Sequence, residues 1–318
     1  MLNQETENHS VSDKKYLVPF ILITSLFFLW GFARAILDVL NKHFQNALHI
    51  SITQSALIQV TTYLGYFLMA IPAGIFINKY GYRRGVVFGL LLFGLGAIFF
   101  IPGASIGSFS AFLFCLFVIG CGLVFLETAA NPYVTELGAR ETATSRLNLS
   151  QSFNGLGSIF ATFCIGQFLF NDTQQGGNVV IPYAILGVLV LAIAVVFSRV
   201  DLPEIQHQQT KEDKAKGSNI AKLFANHRMF VFGLFALLSY EVAEISINSY
   251  FINFVTGMHW MSDRTASLVL TLALAFFMVG SQSFVYHSSK HCNNRTFAPA
   301  SLLFKYMIQL HHSIWLFP

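Results

Sequence analysis

Eight times along this chain the apolar residues run on for about the thickness of a bilayer: 17–38, 55–77, 85–103, 109–135, 148–170, 181–199, 229–256 and 265–286. A helix needs about 20 residues to cross the hydrocarbon core, so runs of this length predict an all-α membrane protein. Composition agrees: the chain is 54% hydrophobic and 11% charged, against roughly 25% charged in ordinary globular domains. The net charge of +4 is a matter of topology, since the basic residues sit in short loops with no basic-aromatic face of the kind nucleic-acid binders use. No nucleic-acid partner is expected; the lipid bilayer is.

Orientation follows from Lys and Arg, which are enriched in cytoplasmic loops. With the N-terminus inside, the inner segments hold Lys14, Lys15, Lys79, Arg83, Arg84, Arg140, Arg146, Arg199, Lys211, Lys214, Lys216, Lys222 and Arg228, and the outer loops only Lys42 and Arg264. The expected protein is thus multi-pass in the inner (plasma) membrane, with its N-terminus cytoplasmic. Glu5, Glu7 and Asp13 precede Lys14 and Lys15, and the apolar stretch beyond lacks a small-residue cleavage site. It reads as a retained first helix, not a signal peptide.

The expected organisation is a cytoplasmic segment (1–16), a six-helix transmembrane bundle (17–200), a cytoplasmic linker (201–227), a partial second bundle of two spans (228–286) and an anomalous tail (287–318). Six spans, a polar linker and a second set of spans is the layout of a major-facilitator transporter, whose six-helix halves are each built from inverted three-helix repeats. The second bundle reads as incomplete. From Ser281 onward Ser, His, Asn and Lys replace the apolar pattern, as in an off-frame or truncated end; a ninth span over 299–317 would be interrupted by Lys305, His311 and His312. Between spans two and three, Gly74 to Arg84 resembles the facilitator loop signature, with Asn78 where many members carry Asp. The plain alternative is a generic basic turn.

Glu127 is the residue most suggestive of chemistry. It follows a charge-free run from Gly85 to Leu126, and an ionisable group in such a segment costs a few kcal/mol or more, so its default reading is functional. Spans one and four are equivalent in the inverted repeat, which makes Asp38, closing span one, its repeat-related partner. Desolvated carboxyls of this kind serve as proton relays. Span directions put Asp38 nearer the outside and Glu127 deeper, roughly 20 Å apart in depth. Arg34 lies one turn before Asp38, at the spacing of an ion pair; a contact with substrate is the other reading.

In span five Gln151 and Asn154 are three apart and share a face. Uncharged amides suit sugar hydroxyls, and equally suit holding helices together. Glu241 and Glu244 form a similar pair in span seven, facing either the cavity or a further helix. Of the cysteines, Cys115, Cys121 and Cys164 lie in apolar spans, with no disulfide or zinc spacing. His287, His291 and Cys292 lack a second ligand pair at zinc spacing, so no metal site is expected.

Several strings together resemble the fucose permease family of sugar–cation symporters, which includes glucose/galactose transporters: Leu29–Phe32, Leu37–Gln45, Pro72–Gly74, Leu126–Pro132 and Arg146–Asn154. The resemblance covers about 17 to 280 and departs at Ser281. It implies a facilitator fold that takes up a hexose such as fucose, glucose or galactose with a proton, or in some members sodium, and needs no other cofactor. In the family the glutamate matching Glu127 is implicated in proton coupling. The aspartate matching Asp38 is needed for transport and faces the sugar cavity, and the amides matching Gln151 and Asn154 lie near the sugar. Glu244 matches a polar position more loosely. The expected protein is a monomeric transporter and not an enzyme. The alternatives are an inactive truncated product of a disrupted transporter gene and a membrane enzyme using the buried carboxylates, which lacks a nucleophile motif.

Overall fold

Ser51 and Gln54 begin the second helix with reciprocal hydrogen bonds: the Gln54 amide donates to Ser51 Oγ (3.1 Å) and the Ser51 amide to Gln54 Oε1 (2.9 Å), a capping box that satisfies two otherwise unpaired helix-start donors. Gly81, at φ 89°, ends it, a conformation open to glycine without a Cβ clash. The computed structural model describes residues 14–138, 142–170, 180–200 and 228–291. Its helices are α1 (Lys14–Leu48), α2 (Ile52–Tyr80), α3 (Tyr82–Ile98), α4 (Phe100–Ile106), α5 (Phe109–Glu136), α6 (Ala143–Leu169), α7 (Val180–Arg199), α8 (Arg228–Gly257) and α9 (Asp263–His291). Among the described residues eight stretches are long and apolar enough to cross a membrane, α3 and α4 together forming one of them.

All eight expected spans fall in helices, with two corrections. Asp38 does not close span one: α1 continues to Leu48, because Val39, Leu40, Asn41, His43 and Phe44 are buried and packing carries the helix past the apolar run. The third span is not one continuous helix. Pro102 has no N–H for the Ile98 carbonyl, and the chain breaks between α3 and α4 at Phe99. Residues 1–13, the linker 201–227 and the tail from 292 lie outside the described residues, while 14–16 belong to α1 and 287–291 to α9.

Two compact units emerge: one of Met1–Ile205 with Phe251–Val279, the other of Gln206–Tyr250 with Gly280–Pro318. In the first, α1 packs on α6, α2 on α5, and α3 on α5 and α7. Lipid tails are as apolar as leucine, so spans associate through close packing at small residues. Gly31 of α1 lies on the Asn154 backbone of α6, and Gly157 of α6 on the Phe28 backbone of α1. Gly120 of α5 lies on the Thr62 backbone of α2, and Gly65 of α2 on the Phe117 backbone of α5. A Cβ at any of the four would collide with a carbonyl. The outer faces stay apolar, with Phe67, Ile71 and Ile185 among the most exposed residues. Arg83 donates to the carbonyls of Phe197 (3.3 Å) and Ser198 and thereby closes the C-terminus of α7.

Within the same unit α6 is tied to α9: Arg264 Nε donates to Gln167 Oε1 (2.6 Å) and Thr271 Oγ1 to Thr162 Oγ1 (2.9 Å). The tight crossings make a direct prediction. Gly120→Leu should lower the thermal stability of the purified protein by about 1–3 kcal/mol or prevent folding. Gly74→Ala, where nothing lies within 4 Å of an added Cβ, should be neutral or stabilising. Equal effects in thermal unfolding would remove the crossings from this account.

Candidate functional site

Midway along the pair, hydrogen bonds set α1 against α2. Trp30 Nε1 donates to Tyr66 Oη at 2.9 Å, and Gln59 Nε2 makes a long bond of 3.4 Å to Asp38 Oδ1. Arg34 stands one turn from both Trp30 and Asp38, and all three are half-buried. Tyr66 interacts electrostatically with Arg34 on one side and with Glu127 of α5 on the other. Glu127 is half-buried, directly after the fully buried stretch Gly120–Leu126. Though Glu127 stands apart from other charges in its run of sequence, none of Arg34, Asp38 and Glu127 is without an interaction in the fold.

From α6, Gln151 Nε2 reaches Asn131 Oδ1 at 3.4 Å, one turn beyond Glu127. Asn154 is half-buried, its carbonyl accepting from Ser158 Oγ at 3.2 Å. Ser150 and Thr24 share a buried hydroxyl pair at 3.1 Å between α6 and α1. Arg34, Asp38, Glu127, Gln151 and Asn154 therefore lie on three mutually packed helices, α1, α5 and α6. Pro132, in the next turn of α5, leaves the Thr128 carbonyl without its helical donor.

Glu241 and Glu244 lie on α8 in the second unit, both half-buried. His287 and His291 fall in the last turns of α9, and Cys292 lies outside the described residues. Among the described residues no group of three or more His, Cys, Asp or Glu could hold a metal ion.

Sequence reasoning missed three features. Gln59 and Tyr66 had no charge to draw attention, though both occupy one face of α2, seven residues apart. Arg146 is buried and donates to the carbonyls of Val134 (3.1 Å) and Thr135 (2.8 Å), capping the C-terminal end of α5. Asn41 accepts at one oxygen from Gln45 (2.7 Å), Ser55 (2.8 Å) and Asn253 (3.1 Å). The polar string from Asn41 to Gln45 was the available signal, but its partners come from α2 and α8. Beside this cluster Asp263 pairs with Lys42 at 3.8 Å and accepts from Asn46 at 2.6 Å.

Residues 23–310 match the family model described as Major Facilitator Superfamily. Among similar proteins is a glucose/galactose transporter of Brucella abortus, 35% identical over 261 residues, which cover 80% of this chain and 62% of that one. An L-fucose-proton symporter of Escherichia coli is 34% identical, over 94% of this chain and 75% of the relative. The chain thus spans less than two thirds of the length of the first and three quarters of the second. A crystal structure of the Escherichia coli fucose:proton symporter superposes with a TM-score of 0.67 at 32% identity, over 88% of this chain and 73% of the other.

The Asn41 cluster is testable apart from any activity. Asn41→Leu and Asn253→Leu should each lower stability by about 1–3 kcal/mol, because each strands a buried partner. The double variant should lose less than the sum, with a coupling of about 0.5–3 kcal/mol. Strict additivity in thermal unfolding would mean the contact contributes nothing.

Proposed function

The chain belongs to the Major Facilitator Superfamily, among relatives of its fucose and glucose/galactose permeases, and we propose that it carries a hexose across the inner membrane together with a proton, by alternating access. The family is one of transporters, which sets the membrane-enzyme reading aside. Fucose, glucose and galactose are the candidate sugars. The relatives' printed names favour this class, as do paired uncharged amides able both to give and to accept hydrogen bonds from hydroxyls.

The observation that carries the reading is the setting of Glu127. A carboxyl embedded in an apolar span, and linked electrostatically to Tyr66, suits a group that takes up a proton on one side and releases it on the other. In this scheme Glu127 binds the coupling proton. Asp38, Gln151 and Asn154 hold the sugar, with Asp38 as a second station on the proton path. Arg34, one turn before Asp38, pairs with it while the site is empty and yields as the sugar arrives. Glu244 contributes from the second set of spans. The N-terminus is cytoplasmic by its basic loops, and a single chain acts as a monomer with no cofactor beyond the coupling ion. Sodium is the alternative ion.

Uptake of labelled fucose, glucose and galactose into proteoliposomes decides it. A pH gradient of about one unit, worth about 1.4 kcal/mol, supports roughly tenfold accumulation at one proton per sugar. Glu127→Gln should abolish that accumulation while sparing sugar exchange. Accumulation that persists in the variant refutes the proton role, and accumulation driven by sodium at fixed pH reassigns the ion.

A further inference from the structure

The two crossings that hold the first unit together are repeats of one arrangement. Gly31 and Phe28 of α1 meet Asn154 and Gly157 of α6; Gly120 and Phe117 of α5 meet Thr62 and Gly65 of α2. One shift, 89 residues, carries Phe28 onto Phe117 and Gly31 onto Gly120, and another, 92 residues, carries Thr62 onto Asn154 and Gly65 onto Gly157. The finer contacts follow the same rule: a Cβ at Gly157 would meet the Phe32 amide, and one at Gly65 the Cys121 amide, again 89 residues on. Four backbone contacts thus fix the register of the internal repeat, without appeal to side-chain similarity.

That register also pairs the polar residues. The first shift carries Asp38 onto Glu127, and the second carries Gln59 onto Gln151. On one side of the crossing, Gln59 donates to Asp38 between α2 and α1. On the other, Gln151 reaches α5 at Asn131, one turn beyond Glu127. Each carboxylate lies seven residues past its crossing glycine, on helices that run in opposite directions. At 1.5 Å per residue the two stand roughly 20 Å apart along the helix axes.

We infer that Gln59 is a positioning residue for Asp38, the counterpart of Gln151 at Glu127, so that the bundle carries two carboxylate–amide stations, one toward each face of the membrane. Gln59 is buried and sits in no loop. The Asp38 carboxylate stands toward the end where α1 joins α2, and the Glu127 carboxylate toward the opposite end. Their use by a sugar rests on the transport reading above; the pairing of residues does not.

The charged and titratable groups around Asp38 are Arg34 and Lys42, one turn to either side on α1, Tyr63, one turn beyond Gln59 on α2, and Asp263 of α9 through Lys42. Around Glu127 they include Tyr66 and, through it, Arg34 and Tyr63. Arg34 and Tyr63 thus stand between the two carboxylates.

Carboxyl stretching bands in infrared spectra of the purified protein, recorded against pH and assigned with Asp38→Asn and Glu127→Gln, test the pairing without any transport. Gln59→Leu should move the midpoint of the Asp38 band by about one unit, the scale of one lost hydrogen bond to a carboxylate, and leave the Glu127 band in place. Gln151→Leu should do the reverse. Gln59→Met, matched in volume, repeats the test if Gln59→Leu does not fold. A variant that moves both bands, or neither, overturns the inference. In exchange assays Gln59→Leu should raise KM about tenfold, as loss of the Asp38 carboxylate by Asp38→Asn does. An unchanged KM assigns Gln59 a purely structural role. Absence of exchange in the unsubstituted protein refutes the transport reading and leaves the infrared result to decide the pairing.

Discussion

Spans in lipid cannot rely on water to drive them together, so the distance between two helix backbones is set by the smallest side chains where they cross. Here that distance is set at Gly31 and Gly157 between α1 and α6, and at Gly65 and Gly120 between α2 and α5. The remainder of the first unit depends on these contacts. The α1–α6 crossing brings the Thr24 and Ser150 hydroxyls to 3.1 Å and lets Ser158 Oγ donate to the Gly31 carbonyl at 3.1 Å. A longer side chain at Gly31 or Gly157 would separate these two helices by more than such bonds can stretch.

Charge placement follows from the same crossings. Beyond the α2–α5 crossing the chain carries no charge for two turns, and Gly120–Leu126 is buried throughout. Seven residues further along, two turns away, the backbones have diverged enough to admit a carboxyl with neighbours. Asp38 and Glu127 both stand at that distance. An ionised group at the crossing itself would have neither water nor a partner, at a cost of several kcal/mol; two turns out it gains an amide or phenol neighbour.

How much of this was legible beforehand depended on whether a residue's partners were local. The eight spans were visible because bilayer thickness fixes their length, and Glu127 was visible because nothing else in its run carries charge. Gln151 and Asn154 were legible as a pair from helical spacing alone. Gln59 was not, since one amide in an apolar helix signals nothing until Asp38 comes from another helix to meet it. Arg146 looked like an ordinary inside-positive residue, yet its guanidinium is buried against the α5 carbonyls. The end of α1 was misread because an apolar-run rule stops at Asp38, whereas the helix continues for as long as its side chains find packing partners.

The Asn41 cluster is a different kind of junction from the glycine crossings. Asn41 Nδ2 and Asn253 Oδ1 are buried with no hydrogen-bond partner among the described residues, and each such atom costs about 1–3 kcal/mol. A contact with two stranded atoms does not hold itself closed. Its neighbours hold it: Lys42 and Asn46 grip Asp263 at the start of α9, where a carboxylate also suits the positive end of the helix. Gln167 grips Arg264 one residue further on. Glycine crossings fix distances permanently, because a backbone contact has no alternative partner. An amide contact of this kind can exchange for water, so at the seam between α1 and the C-terminal part of α8 the buried apolar neighbours Ile252 and Val255 supply the burial that the amides do not.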